Sequence, residues 1–212
     1  MTLPRICVAR ATALFGIILG LAAFPGWCAS NYIRVPLGES ASIEVPKNWV
    51  VLSGNERTTI DVFVEAKGFQ KTKSSLTFAA NLYDDRGATR ALVNVRFYPE
   101  NPLTQSEARQ VKTSDLKEFD AEIKKHAEAS MNALGVRMES WLGSKMQVIN
   151  GLYALVHEHQ HSGVQGNGLT RVRGVRVWRS PRSFTVTISY REREAIVLLP
   201  IVDYMTNSLR QE

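Results

Sequence analysis

Residues 145–156 read Lys145-Met146-Gln147-Val148-Ile149-Asn150-Gly151-Leu152-Tyr153-Ala154-Leu155-Val156, two apolar runs split by an Asn-Gly pair. A type I′ turn needs positive φ at both central residues, which Asn and Gly tolerate best. The pair therefore predicts a two-residue hairpin and fixes the register of the strands on either side. Working outward, Arg137 to Arg191 reads as four consecutive antiparallel strands. Gly163, Gly166 and Gly168 loosen the chain before Leu169 to Arg179, and Ser180-Pro181-Arg182-Ser183 turns it again into Phe184 to Tyr190. In that last run Phe184, Val186, Ile188 and Tyr190 alternate with polar residues, the period-2 pattern of a strand with one covered face.

The first thirty residues read as an export address. Arg5 and Arg10 make a positive n-region, Ala11 to Phe24 an apolar stretch of 14, and Pro25-Gly26 a break before small residues. A bilayer span needs roughly 20 apolar residues, so residues 1–30 are expected to be a secretory signal peptide, leaving no membrane span in the mature chain. Cutting after Ser30, which puts Cys28 at −3 and Asn31 first, is favoured over cutting after Cys28 or Ala29. Acylation at Cys28 is a weaker reading, because Pro25-Gly26-Trp27 matches poorly the small residues that precede a lipoprotein cysteine. The expected location is periplasmic or secreted.

The 212 residues carry a formal charge of +6, and loss of Arg5 and Arg10 leaves +4. That mild excess argues against nucleic acid and permits an acidic partner or an anionic surface. Cys7 and Cys28 are the two cysteines, so residues 31–212 hold no thiolate for a disulfide, a nucleophile or a Cys-type zinc site. Residues 31–212 are expected to form a single domain.

Within it, Ile33 to Pro36 and Ser42 to Pro46 form an opening hairpin, with prolines at strand ends where a missing donor is tolerated. Ser53 and Glu56 make a capping box for a helix carrying Ile60, Phe63, Val64 and Lys67, closed by Gly68. Ser75 to Tyr83 and Thr89 to Tyr98 alternate as strands about the turn Asp84-Asp85-Arg86-Gly87. Thr104 and Glu107 form a second capping box. A long helix from Ser114 carries Leu116, Phe119, Ile123, Ala127, Met131 and Leu134 on one stripe, with Phe119 expected to be buried and Gly135 ending the helix. Ala195 to Leu209 is a final amphipathic segment, in which Pro200 either kinks a long helix or starts its stable part.

That order of elements, with Val45-Pro46-Lys47-Asn48-Trp49 as a "V-P-x-x-W" opening and Leu199-Pro200 before the last helix, resembles the superfamily containing the photosystem subunit PsbP, the Ran-binding Mog-type proteins and the DcrB-like proteins. The resemblance, to an exported bacterial branch, covers roughly Asn31 to Arg210. It implies an α+β fold, a three-layer α/β/α sandwich around a twisted antiparallel sheet of about seven strands. The residues alone reach only an antiparallel sheet with helices. One departure is that no strand is found near Lys71 to Ser74, where the resemblance implies one. The relatives are mostly accessory, assembly or adaptor proteins, which implies a non-enzymatic role without assigning a site.

Two constellations stand out. His157-Glu158-His159-Gln160-His161 on a strand projects His157, His159 and His161 from one face, where they could offer imidazoles to zinc, although a metal needs three or four convergent ligands. A solvated strand end is the plainer reading. Arg171, Arg173 and Arg179 share a parity and Arg191 follows on the next strand's end, a basic face for carboxylates or phosphates, set against a charged sheet edge that resists aggregation. Asp84-Asp85 is read as a turn rather than an acid pair. Trp49, Trp141 and Trp178 could line a pocket, though core positions suit them as well. No Gly-x-Ser-x-Gly, phosphate loop, His-Glu-x-x-His helix or dinucleotide fingerprint occurs.

The expected function is therefore that of a non-enzymatic exported accessory or binding protein of the bacterial cell envelope, needing no cofactor. Its partner would be an envelope protein or an anionic envelope component. Alternatives are a metal-dependent enzyme or metal-binding protein using the histidine strand, and a periplasmic neutralising protein.

Overall fold

The Asn150-Gly151 turn forms as the sequence predicts, with φ of 47° and 81° at its two central residues. It joins β6 (Met138–Ile149) to β7 (Leu152–Ser162), which is followed by β8 (Leu169–Arg179) and β9 (Arg182–Arg191) in one antiparallel meander. The computed structural model describes residues 31–38, 41–66, 74–100, 103–163, 168–179 and 182–211. β9 pairs in turn with β5 (Thr89–Tyr98), β5 with β4 (Ser75–Tyr83), and β4 with the two-residue β3 (Val50–Val51). The result is a seven-stranded antiparallel sheet in the order β3-β4-β5-β9-β8-β7-β6.

The sheet's inner face is apolar because the alternation runs in phase on neighbouring strands. Phe78, Val95, Val186, Val175 and Val156 form one row across five strands, none more than 4% exposed. Over this face lie a three-stranded sheet, in the order β1 (Tyr32–Gly38), β2 (Ala41–Pro46), β10 (Arg210–Gln211), and the last helix. Ile43 and Val45 of β2, Trp49, and Leu198, Val202 and Met205 of that helix close the main core.

The outer face carries the other helices, numbered here α1 (Gly54–Ala66), α2 (Gln105–Arg109) and α3 (Thr113–Ala133), with the last helix as α4 (Ala195–Asn207). α1 lies on β4, where Leu52, Leu76 and Ala79 are buried. α2 and α3 lie on β6, β7 and β8, around Ala108, Leu155 and Trp178. The fold is thus α+β and layered, as expected. The physical difference from the expectation is that one layer is a small sheet plus one helix, because the opening hairpin leaves the large sheet and pairs with β10 instead.

Both capping boxes form. Glu56 N–H donates to Ser53 Oγ at 3.3 Å while Ser53 N–H donates to Glu56 Oε2 at 2.7 Å, and Thr104 with Glu107 does the same at the start of α2. The long helix ends at Gly135, whose φ of 74° an L residue rarely adopts. Its stripe is shallower than expected. Met131 is buried, Leu116 and Ile123 pack against the α2 cluster, Phe119 is half-buried and Leu134 is exposed. α2 occupies part of the same sheet face, over β7 and β8.

Pro200 sits inside α4 and withholds the N–H that would reach the Ile196 carbonyl. Ile196 is almost fully exposed, so water can satisfy that group. Lys67, Gly68 and Lys71 to Lys73 lie outside the described residues, as do Gly166 and Ser180-Pro181.

Candidate functional site

Of the residues singled out by sequence, the three histidines lie on β7, Arg171, Arg173 and Arg179 on β8 and Arg191 at the end of β9, towards one end of the large sheet. β6 is the edge: it pairs with β7 and with no other described strand. Register shifts between Met138 and Ser140 and between Trp141 and Gly143 mark bulges near its start, and Gly143 adopts φ 94° there. From Gly143 to Ile149 the pairing is regular. Leu142 (47% exposed) and Val148 (55%) stand out along this edge as large apolar side chains left in solvent.

On the outer face of the same strands the three histidines do align, and Trp141 joins them. The His157 and His159 rings stack nearly parallel with centroids 6.1 Å apart, and Trp141 stacks on them at 5.8 and 5.9 Å. Trp141 Nε1 donates to both carboxylate oxygens of Asp120, at 2.9 and 3.0 Å, which fastens α3 to β6. Gly174 on β8 stands opposite His157. A Cβ there would fall 2.1 Å from His157 Cε1 and 2.4 Å from Nε2, so the ring occupies the space that glycine leaves.

Burial pushes the His159 imidazole down to about 4, with the neighbouring charges of His157 and His161 acting the same way. His159 is 6% exposed and its Nδ1 meets no acceptor or donor. Burial also lowers His157, opposed by the charges of Asp120 and Glu158.

At the expected metal site, His157, His159 and His161 do share one face of β7. The His157 and His159 rings lie side by side and nearly parallel, and the His161 ring is tilted 36° from that of His159 with centroids again 6.1 Å apart. Among the described residues no group of three or more His, Cys, Asp or Glu is placed to hold a metal ion.

On the inner face, Glu158 stands between Arg173, opposite it on β8, and Arg171. Its Oε2 accepts from Arg171 Nε and Nη2 at 3.0 and 2.6 Å, and its Oε1 accepts from Arg173 Nε at 2.7 Å. Arg173 also donates to Asp203 of α4 at 2.5 Å, and Arg171 lies 3.8 Å from Glu192. Burial acts to raise the Glu158 carboxyl, but the hydrogen bonds and charges of Arg171 and Arg173 outweigh it and hold the group below its usual range.

Arg171 and Arg173 therefore share a face as expected, but they spend their charge on internal carboxylates. Arg191 falls on the opposite face, level with Thr170, and pairs with Asp84 at 3.0 Å. Arg179 ends β8 across the turn from Arg182. The four arginines thus do not form one basic surface.

The expected turn role of Asp84 holds, since its Oδ1 accepts from the N–H groups of Arg86 and Ala88. The tryptophans do not share a pocket: Trp49 belongs to the core under the small sheet, and Trp178 to the cluster under α2. Sequence reasoning missed Asp120, Asp203 and Gly174. The two acids come from helices remote in sequence, and a glycine inside a strand signals close approach without saying of what.

No protein-family profile matches the chain, and no curated protein matches its sequence. Among solved structures the fold is similar to cyanobacterial PsbP from Synechocystis sp. PCC 6803, with a TM-score of 0.53 at 8% identity over 86% of this chain and 93% of that one. Weaker likenesses reach LpqN of Mycobacterium tuberculosis, described as involved in cell envelope biogenesis, and the Ran-binding protein Mog1p of Saccharomyces cerevisiae. Both have a TM-score of 0.42, at 11% and 12% identity, covering 84% and 85% of this chain and 88% and 95% of theirs. Of the three, the first bears on the architecture and supports the expected PsbP-like fold. At that identity it bears on fold alone.

Proposed function

We propose that the chain is a non-enzymatic exported accessory protein of the cell envelope that holds a partner protein along the open edge of its large sheet. Residues 1–30 would direct export and be removed, leaving residues 31–212 periplasmic or secreted. The observation that carries the reading is the regular edge from Gly143 to Ile149, with Val148 exposed within it and Leu142 exposed just before it. An extended segment added to such an edge satisfies its free backbone groups, and pockets or patches for alternate side chains give selectivity. The Trp141–His157–His159 stack and the Glu158–arginine cluster stiffen β7 behind that edge, which lowers the entropy lost on docking.

A photo-crosslinker at Val148 is expected to capture a defined envelope protein, and one at Tyr83, exposed on β4, is not. Changing both Leu142 and Val148 to Asp should abolish capture of that protein by affinity purification while leaving the melting temperature within a few degrees. Undiminished recovery with the double variant would refute the edge as the docking surface.

A further inference from the structure

The helices on the outer face leave a gap. α1 lies on β4, and α2 and α3 lie on β6 to β8, so among the described residues the outer face of β5 and β9 between them has no helix as its principal cover. Its floor is polar. Asn94 on β5 and Thr185, Thr187 and Ser189 on β9 are all half-buried, whereas the inner-face residues that alternate with those of β9, from Phe184 to Tyr190, are at most 2% exposed.

One row across this floor runs Arg96, Thr185, Arg176, on β5, β9 and β8. Two strand spacings put the outer members about 10 Å apart at the backbone, within reach of one small anion for side chains as long as arginine. Arg96 donates to Asp61 of α1 at 2.6 Å. Arg176 has no such counter-ion among the described residues. Its Nη2 donates to Ser183 Oγ at 3.3 Å, its guanidinium lies over the Tyr98 ring at 5.0 Å, and its Nε is shielded from solvent with no acceptor.

Arg34, Arg90, Arg96, Arg171, Arg173 and Arg191 each meet a carboxylate. Burial pushes the partly buried Arg176 guanidinium down, opposed by Tyr98, and no carboxylate among the described residues balances its charge. The row carries two guanidinium groups and one carboxylate.

We propose that Arg176 anchors an oxyanion-binding groove on the outer face of the sheet, with Thr185 and Tyr98 framing the bound carboxylate or phosphate group. A planar guanidinium offers a fork of donors that matches the two oxygens of such a group, and the Tyr98 ring holds the fork in place. The Thr185 hydroxyl, next in the row, supplies a further donor, and Arg96 adds charge from the far side.

The test uses the purified protein, inorganic phosphate and acetate as probes, and sodium chloride at matched ionic strength. Calorimetry and backbone NMR are expected to show saturable binding of at least one anion, with the amide shifts centred on Thr185, Thr187 and Arg176. Arg176→Met should weaken binding at least tenfold without lowering the melting temperature in chloride, because it removes a partly buried charge that no carboxylate balances. Arg176→Lys, which keeps the charge and loses the fork, should weaken it by a smaller factor.

Vesicles of phosphatidylglycerol and of phosphatidylcholine separate the sources. Binding to phosphatidylglycerol alone, lost with Arg176→Met, assigns a lipid headgroup, and binding of free anions without vesicle binding assigns a soluble ligand. Shifts no larger than in chloride, shifts centred away from β8 and β9, or unchanged affinity in Arg176→Met would each overturn the proposal. If the Met variant fails to fold, the NMR map of the unaltered protein and the Lys variant decide it.

Discussion

At the scale of single residues, the histidine strand packs tightly and carries a pH response. Gly174 and His157 are interlocked, since any side chain at 174 must displace the imidazole that lies over it. Gly174→Ala should therefore cost about 1–3 kcal/mol, the usual range for overpacking. His157→Ala in the same chain should recover much of that loss, giving a coupling energy of about 0.5–3 kcal/mol between the two sites in a denaturation double-mutant cycle. Additive effects would mean that the ring is not the obstacle. His159 supplies the pH response. Its folded form binds a proton only near pH 4, whereas an unfolded histidine does so near 6.5, so the unfolded state holds more protons between those values. Stability is then complete above pH 6.5 and falls as pH drops towards 4, by up to about 3 kcal/mol from this group. Replacing His159 by Phe should flatten the urea-denaturation profile across that window. The depressed Glu158 carboxyl acts lower, below its ordinary value of 4.5, so the two responses separate on the pH axis.

At the scale of elements, much of the fold was legible because its signals are local. The Asn-Gly turn, the alternation of β9 and both capping boxes depend on residues within four positions of one another, and all appear as read. What was not legible depends on pairing across long separations. β3 and β10 have two residues each, too short for any period, and exist because β4 and β2 offer them an edge. α2 was expected only as a cap, yet its Gln105 side chain accepts from the Tyr153 N–H and donates to the Tyr153 and Trp178 carbonyls, bridging β7 and β8 just beyond their last paired residues. The central hairpin also does more than turn. Asn150 Nδ2 donates to the carbonyls of Asn207 and Leu209, satisfying groups at the end of α4 that the helix leaves open. Asn150→Gly keeps a residue suited to positive φ and removes only those contacts. It should cost about 1–2 kcal/mol in equilibrium unfolding, and hydrogen exchange should rise first at Ser208 and Leu209. A uniform rise across the sheet would place the loss in the turn instead.

At the scale of the whole molecule, the candidate site was half legible: sequence located the strands that carry it but not how their charges are spent. Parity put Arg171 and Arg173 on one face, yet their partners Glu158 and Asp203 come from β7 and α4, and only the folded sheet brings the four together. Reversing Arg173 to Glu would thus disturb folding before it disturbed a partner. The export reading can be tested against the first described strand. β1 begins at Tyr32, which pairs with Pro46, and the Asn31 carbonyl accepts from the Lys47 N–H at 2.9 Å. Cleavage after Ser30 would leave every one of those contacts in place, whereas a cut a few residues further on would remove the first pairs of the small sheet over the core. Mass spectrometry of the protein from a periplasmic or culture-medium fraction is expected to give an N-terminus at Asn31, or at Ala29 if the earlier site is used. A chain expressed as residues 31–212 should have the same melting temperature as the exported form, and one starting at Val35 should lose stability because β1 is truncated. Protein retained in the membrane fraction with Met1 intact would overturn the export reading and leave the edge and groove to be tested in another compartment.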